Sequence, residues 1–200
     1  GDARIAGMGA SLAGLELALQ ADQAGLVDLA IRRILLIHGV ILTIGGIPLI
    51  YLNDEVGTLN DYRYRTDPAK AGDSRWVHRP VTDWARLARR ADPNAVEGRV
   101  FGALQRLIGI RQAHAAFAGH DTLIFDTGAP AVFGYVRQQG GERVLALANF
   151  SEQAQQVPAN ELRVYGLSYT FTDLVSGAAV ALDQDIVLDP YRFLWLVAGA

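Results

Sequence analysis

The chain has 200 residues, half of them hydrophobic, enough to bury a real core, and its net charge of −3 with scattered basic residues excludes a positive stripe for nucleic acid. It has no cysteine, which excludes a disulfide framework and a thiolate metal site. The most apolar stretch, Ile34 to Ile44, is interrupted by His38, Gly39 and Thr43 and falls short of the about 20 residues that cross a bilayer, so it predicts a core helix.

Gly1 to Ala24 is rich in Gly and Ala, with Leu12, Leu15 and Leu19 at helical spacing, and predicts a loop followed by a helix. Arg4 is the charged side chain of that loop best placed to reach a ligand, although a lone loop arginine is ordinarily just solvated. Leu26 to Thr43 is apolar all round except for Asp28, Arg32 and Arg33, the pattern of a helix packed on a sheet with one narrow wet stripe. Gly45-Gly46 supplies a left-handed C-cap. Ile47 to Leu52 then predicts a buried strand of a parallel sheet. Helix, turn and strand make one step of a (β/α)8 barrel, and Ile47–Leu52 takes the place of its last strand, whose C-terminal end faces the ligand site.

The loop after Leu52 is too long for a plain connection, and loops of that length are commonly functional. Asp54 and Glu55 do not form a glycosidase pair, because neighbours on an extended segment point apart while the two carboxylates must face one sugar across about 5 to 9.5 Å. A structural role suits them better. Asn60 to Arg65, NDYRYR, alternates ring and charge and is equally a sugar-stacking surface or plain loop. In DSRWVHRP, Arg75 and Arg79 flank Trp76 and His78, and a planar guanidinium binds a hydroxyl pair or clamps a carboxylate. The plain alternative is a solvated arginine beside a packing Trp. His78 has no second ligand at useful spacing, so no metal is expected.

Asp83 to Arg90 predicts a short helix, broken at Asp92-Pro93, and Ala95 to Phe117 the helix that closes the barrel. From Asp121 the period becomes alternating. Thr122–Phe125, Ala131–Gln138, Arg143–Asn149, Ala154–Val157, Tyr169–Asp173, Ala179–Leu182, Asp185–Leu188 and Tyr191–Val197 predict the strands of a small antiparallel sandwich. In the last of them Phe193 and Trp195 alternate with Leu194 and Leu196, so that strand buries both faces or docks on the barrel. The expected division is residues 1–118, the end of a (β/α)8 barrel with a long active-site loop at 53–94, and residues 119–200, the sandwich.

IPLIYLNDEVG with TLND, DSRWVHRP, GDARIAG near the start and NFSEQAQQV with DQDIVLDPYRFLWL in the tail resemble amylosucrase and sucrose hydrolase, of the α-amylase superfamily (glycoside hydrolase family 13). Asn53 departs from the pattern, which has glycine there, but Asn tolerates a left-handed conformation. The resemblance implies a C-terminal portion of a retaining enzyme whose catalytic Asp, Glu and Asp lie upstream of Gly1, so the chain carries no catalytic residue and acts with that missing N-terminal part. It implies that sucrose is split and that its glucosyl unit passes to an α-1,4-glucan or, in the hydrolase, to water. The implied roles are Arg75 at the bottom of the glucose pocket, paired with an upstream aspartate, and Arg4 on the fructosyl or acceptor sugar. No cofactor, nucleic acid or membrane partner is expected, and a cytoplasmic setting is favoured for a chain whose true N-terminus is expected upstream. A non-catalytic carbohydrate-binding or structural module is the alternative of another class.

Overall fold

Helix α3, Ala24–Thr43, is the longest element of the protein, a computed structural model that describes residues 6–199. The chain divides into two compact units. The first holds the described residues up to Leu35 together with Ile50–Leu104, and the second holds Leu36–Leu49 and the residues from Gln105 onward.

In the first unit, α1 (Gly9–Leu12) and α2 (Leu15–Gln20) meet at Gly14, whose φ of +89° is open to glycine and strained for other residues. The break divides the predicted leucine stripe. Leu15 is fully buried, while Leu12 and Leu19 face outward. Ala10, Ala13 and Leu15 pack with Ala30, Ile31 and Ile34 of α3 and with Val100 and Leu104 of α5 (Val96–Ala113). The spacing of three and four residues along α3 and α5 puts these side chains on one stripe each, which is why two amphipathic helices share this core. Helix α4 (Trp84–Ala88) is fastened to the start of α5 by charge. Arg86 donates from Nε to Glu97 at 2.8 Å and from Nη2 to the Gly57 carbonyl at 3.2 Å, and Arg89 lies 3.4 Å from the same buried carboxylate. Glu97 is thus a buried charge with two guanidinium partners, the condition under which burial of a carboxylate is tolerated.

The second unit is built on strands β1 (Thr122–Phe125), β2 (Val132–Gln139), β3 (Glu142–Asn149), β4 (Gln155–Val157), β5 (Thr170–Asp173), β6 (Ala179–Ala181), β7 (Ile186–Leu188) and β8 (Phe193–Ala198). All eight predicted strands are present. Six form one antiparallel sheet in the order β1-β2-β3-β8-β5-β6, and β4 pairs with β7 in a second, small sheet. The helix α6 (Ala159–Gly166) is an addition to the expected all-β unit. One sheet face, with Val136, Leu145, Leu147, Leu194 and Leu196, packs on Leu162 of α6 and on Val157 and Leu188 of the small sheet. The opposite face, with Tyr135, Val144, Ala146 and Trp195, packs on Leu42 of α3 and Leu107 of α5. Strand β8 is therefore buried on both faces, as its unbroken apolar run requires. Buried Asn149 ties the corner, its Nδ2 donating to the carbonyls of Gln153, Leu188 and Asp189.

The C-terminus of α3 is held by two guanidinium groups. Arg111 donates to the carbonyls of Leu42 and Gly46. Arg137, with no exposed surface, donates to the carbonyls of Ile44 and Gly119 and to Thr122 Oγ1. Cations at a helix C-terminus satisfy its orphan carbonyls and oppose its negative pole. Close by, Thr43 donates to the Gly39 carbonyl at 2.7 Å, so its oxygen accepts from the Tyr135 phenol at 2.5 Å. Burial pushes that phenol up to about 12.

In the unfolded chain Tyr135 ionises near 10, so its contribution to folding stability is unchanged below that pH and falls as pH rises from about 10 towards about 12, by about 2–3 kcal/mol. Tyr135→Phe is expected to flatten this decline, measured as urea unfolding at about pH 8 and about pH 11.5. An equal decline in both proteins would place its origin elsewhere.

Residues Ile47 to Leu52 correct the sequence reading. They follow the left-handed Gly45 and Gly46 (φ +127° and +70°) as predicted, but form no strand. Ile47 is 98% and Leu49 79% exposed, and Leu52 also faces outward. A parallel strand is buried by its neighbours, and no strand among the described residues pairs with this one. The closed barrel is accordingly not seen among the described residues.

Candidate active site

The long loop is ordered by short turns. Asn53, left-handed at φ +72° as its residue type allows, opens a 3₁₀ turn at Asp54–Val56 and meets Thr82 through its amide. Further 3₁₀ turns follow at Arg63–Thr66 and Ser74–His78. Asn60 ties the loop to the start of the chain. Its side-chain oxygen accepts from the Met8 amide at 2.7 Å, and its own amide donates to Ser11 Oγ at 2.9 Å.

Those ties place Met8 beside Tyr51, Asp54, Arg75 and His78 around an open hollow of about 530 Å³. Tyr51 and His78 meet edge to face with ring centres 6.3 Å apart. Gly9 comes close to the Asp54 carboxylate; a Cβ there would stand 3.4 Å from its oxygen. Within the hollow Arg75 supplies a guanidinium and Asp54 a carboxylate. Charged donors and acceptors thus stand beside an aromatic edge, an arrangement able to hydrogen-bond hydroxyl groups and unlike the convergent His or acid set of a metal site.

Arg75 is half-exposed and held by a residue that sequence reasoning passed over. Asp73 Oδ1 accepts from Arg75 Nε at 2.9 Å and Oδ2 from Nη2 at 2.9 Å, a bidentate clamp. The same carboxylate accepts from the Arg75 backbone N–H at 3.0 Å and so caps the turn that carries it. Arg75 thus has a local carboxylate partner. The signal was present, an Asp two residues before the Arg at a cap position. Arg79 is turned the other way, 5.3 Å over the Trp76 ring, and Lys70 is 5.0 Å from the same ring. The plain reading, a cation beside a packing Trp, therefore describes Arg79. Arg4 lies outside the described residues. Asp54 and Glu55 stand in one short turn rather than across a sugar-sized gap.

The Arg75 guanidinium beside Asp73 holds its carboxyl at about 2, below the ordinary 3.8. Its pairing is therefore complete above about pH 4 and is lost as pH falls through about 2. A carboxyl-carbon NMR titration of Asp73 is expected to give a midpoint near 2, returning towards 3.8 in Arg75→Ala. A midpoint unmoved by that substitution would mean that the clamp does not persist in solution.

Residues 129–197 match the amylosucrase C-terminal domain. Over 166 residues, 82% of this chain, the protein is 28% identical to glucosylglycerate phosphorylase of Escherichia coli (strain K12), covering 28% of that enzyme. It is likewise 28% identical over 176 residues to the glucosylglycerate phosphorylase of Spirochaeta thermophila, covering 30% of it. The chain is thus similar to an amylosucrase C-terminal domain and to glucosylglycerate phosphorylases. It spans less than a third of the length of these two curated relatives. The fold is also similar to that of solved structures. An AmyP variant in complex with maltotriose superposes with a TM-score of 0.66 at 14% identity, over 88% of this chain and 35% of that one. A trehalulose synthase variant in complex with Tris gives 0.59 at 19% identity, over 83% and 38% of the two chains.

Proposed function

We propose that the chain is part of a retaining glucosyl-transferring enzyme that cleaves sucrose and passes the glucosyl unit to an α-1,4-glucan, with Arg75 binding the glucosyl ring. The observation that carries this reading is the Arg75 hollow. In a chain similar to glucosylglycerate phosphorylases, a guanidinium oriented by Asp73 lines an open cavity with Tyr51, His78 and Asp54. Two edges of the guanidinium are at work. Nε and one N–H of Nη2 face Asp73, and the rest remain for vicinal hydroxyls of a sugar. Residues 1–118 act as the end of the barrel and 119–200 as its C-terminal domain. The bond chemistry belongs to carboxylates on upstream strands, which pair with the exposed Ile47–Leu52 segment; Arg4 contacts the sugar beyond the scissile bond. Arg75 and Arg4 bind and orient, and transfer no proton.

The similarity to glucosylglycerate phosphorylases supports a second acceptor, inorganic phosphate. The same glucosyl site then serves phosphorolysis, since the acceptor enters after the first half-reaction of a retaining mechanism. The experiment is to incubate the intact protein with sucrose, with and without phosphate and maltooligosaccharide, and to identify the products. Growing glucan chains are expected. Glucose 1-phosphate formed only with phosphate would replace the transferase reading by phosphorolysis, free glucose alone would replace it by hydrolysis, and an inert sucrose would overturn the donor assignment. Residues 1–200 alone are expected to give no turnover at all.

A further inference from the structure

The device that holds Arg75 occurs twice. Asp61-Tyr62-Arg63-Tyr64 and Asp73-Ser74-Arg75-Trp76 share one pattern, an aspartate, an arginine two residues later and then an aromatic residue. Each arginine lies in a 3₁₀ turn, at Arg63–Thr66 and Ser74–His78. The contacts repeat atom for atom. Asp61 Oδ1 accepts from the Arg63 backbone N–H at 2.9 Å and from Nε at 2.9 Å, and Oδ2 accepts from Nη2 at 2.7 Å. In both, two of the five guanidinium N–H groups are committed and about three remain for a ligand. Arg63 is otherwise well exposed, so the clamp removes rotamer freedom before any ligand arrives.

Arg63 stands on the divide of a two-lobed groove. One lobe, of about 310 Å³, sets Asn53, Asn60 and Arg86 over apolar Val56, Leu59 and Leu87. The other, of about 290 Å³, is bounded by Tyr64, Lys70, Trp76 and Arg79. Asp61, Arg63 and Val81 line both lobes, so the two adjoin at Arg63, and none of their residues lines the Arg75 hollow. Charges of both signs line the groove. Asp61 and Asp83 stand with Arg63 and Arg86 in the first lobe, and in the second Lys70 pairs with Asp67 at 3.1 Å while Arg79 lies over the Trp76 ring. An anion would meet these carboxylates, whereas a polyol finds paired donors and acceptors for its hydroxyls and apolar or aromatic surface for its C–H faces. Each lobe has the scale of the smallest ligand pockets, about 300 Å³.

We propose that this groove binds a neutral oligosaccharide of two or three units, with Arg63 and Asp61 at its centre. The proposal shares with the proposed function the class of ligand but not the residues. It is tested by calorimetric titration of the intact protein with maltotriose, in wild type, Arg63→Ala, Asp61→Asn, Arg75→Ala and the Arg63→Ala/Arg75→Ala double variant, each checked for folding by circular dichroism. Arg75→Ala is expected to retain maltotriose binding. Adding Arg63→Ala should weaken that residual binding at least tenfold, Asp61→Asn should weaken it severalfold with the arginine still present, and inorganic phosphate should not compete. If Arg75→Ala alone abolishes all binding, the groove is not a site while the glucosyl reading stands. Residual binding unaffected by Arg63→Ala, or displaced by phosphate, also overturns the proposal. If sucrose is not a substrate yet the Arg63-dependent binding persists, the groove stands and the donor assignment falls.

Discussion

Arg75→Ala is expected to lower glucosyl transfer from sucrose by on the order of a hundredfold or more, with the melting temperature essentially unchanged. The two halves of that expectation have separate physical origins. The side chain is 55% exposed and its carboxylate partner 32%, so the pair sits in screened surroundings and contributes little to folding. Its value lies in orientation. Clamped by Asp73 along one edge, the guanidinium presents a fixed fork to the hollow, and a sugar ring that loses the fork loses its alignment with the reacting groups. Arg75→Lys retains the charge but not the fork, and is expected to recover little of the activity. Near-normal kinetics in Arg75→Ala would return this residue to the plain category of solvated loop arginines.

The second large effect concerns stability. Arg137→Met is expected to destabilise the protein by about 2–4 kcal/mol and to lower the melting temperature by roughly 5–15 °C. Arg137 has no exposed surface, and its guanidinium joins the end of α3 at Ile44 to the Gly119 carbonyl and to Thr122 on β1. Met fills much of the volume but leaves the Gly119 carbonyl without this donor. Burial and the neighbouring Arg111 already hold the Arg137 pKa below its ordinary value, so the site accepts a second cation only because the helix carbonyls converge on it. Exposed Arg106→Met is the control, and should shift the melting temperature by no more than a degree or two. Equal shifts in both variants would remove the capping role.

The strands of the second unit were legible because each alternates over a few residues and ends at a Gly, Pro, Asn or Ser turn. Observed bounds such as Thr122–Phe125 and Ile186–Leu188 lie within one or two residues of the expected ones. Helix α6 was not legible, since eight residues after Pro158 give barely two turns in which to show a period. Ile47–Leu52 misled for a different reason. Apolar composition reports what a segment needs to bury, not whether the partners that bury it are present, and Ile47, Leu49, Tyr51 and Leu52 are exposed here. At the site, the left-handed Asn53 followed from residue type, and the importance of Arg75 followed from the family resemblance. The Asp73 clamp and its copy at Asp61 were written in the chain as Asp-x-Arg, but such a pair becomes a device only when a turn folds the carboxylate back along the guanidinium edge.

The most direct measurement is a crystal structure of the intact protein with sucrose bound. The prediction is a glucosyl ring whose hydroxyls lie within hydrogen-bond distance of the free N–H groups of Arg75, with Asp73 still on the opposite edge and the attacking carboxylate drawn from outside these 200 residues. A glucosyl ring seated without contact to Arg75, or that side chain turned to bulk solvent in the complex, would contradict the account.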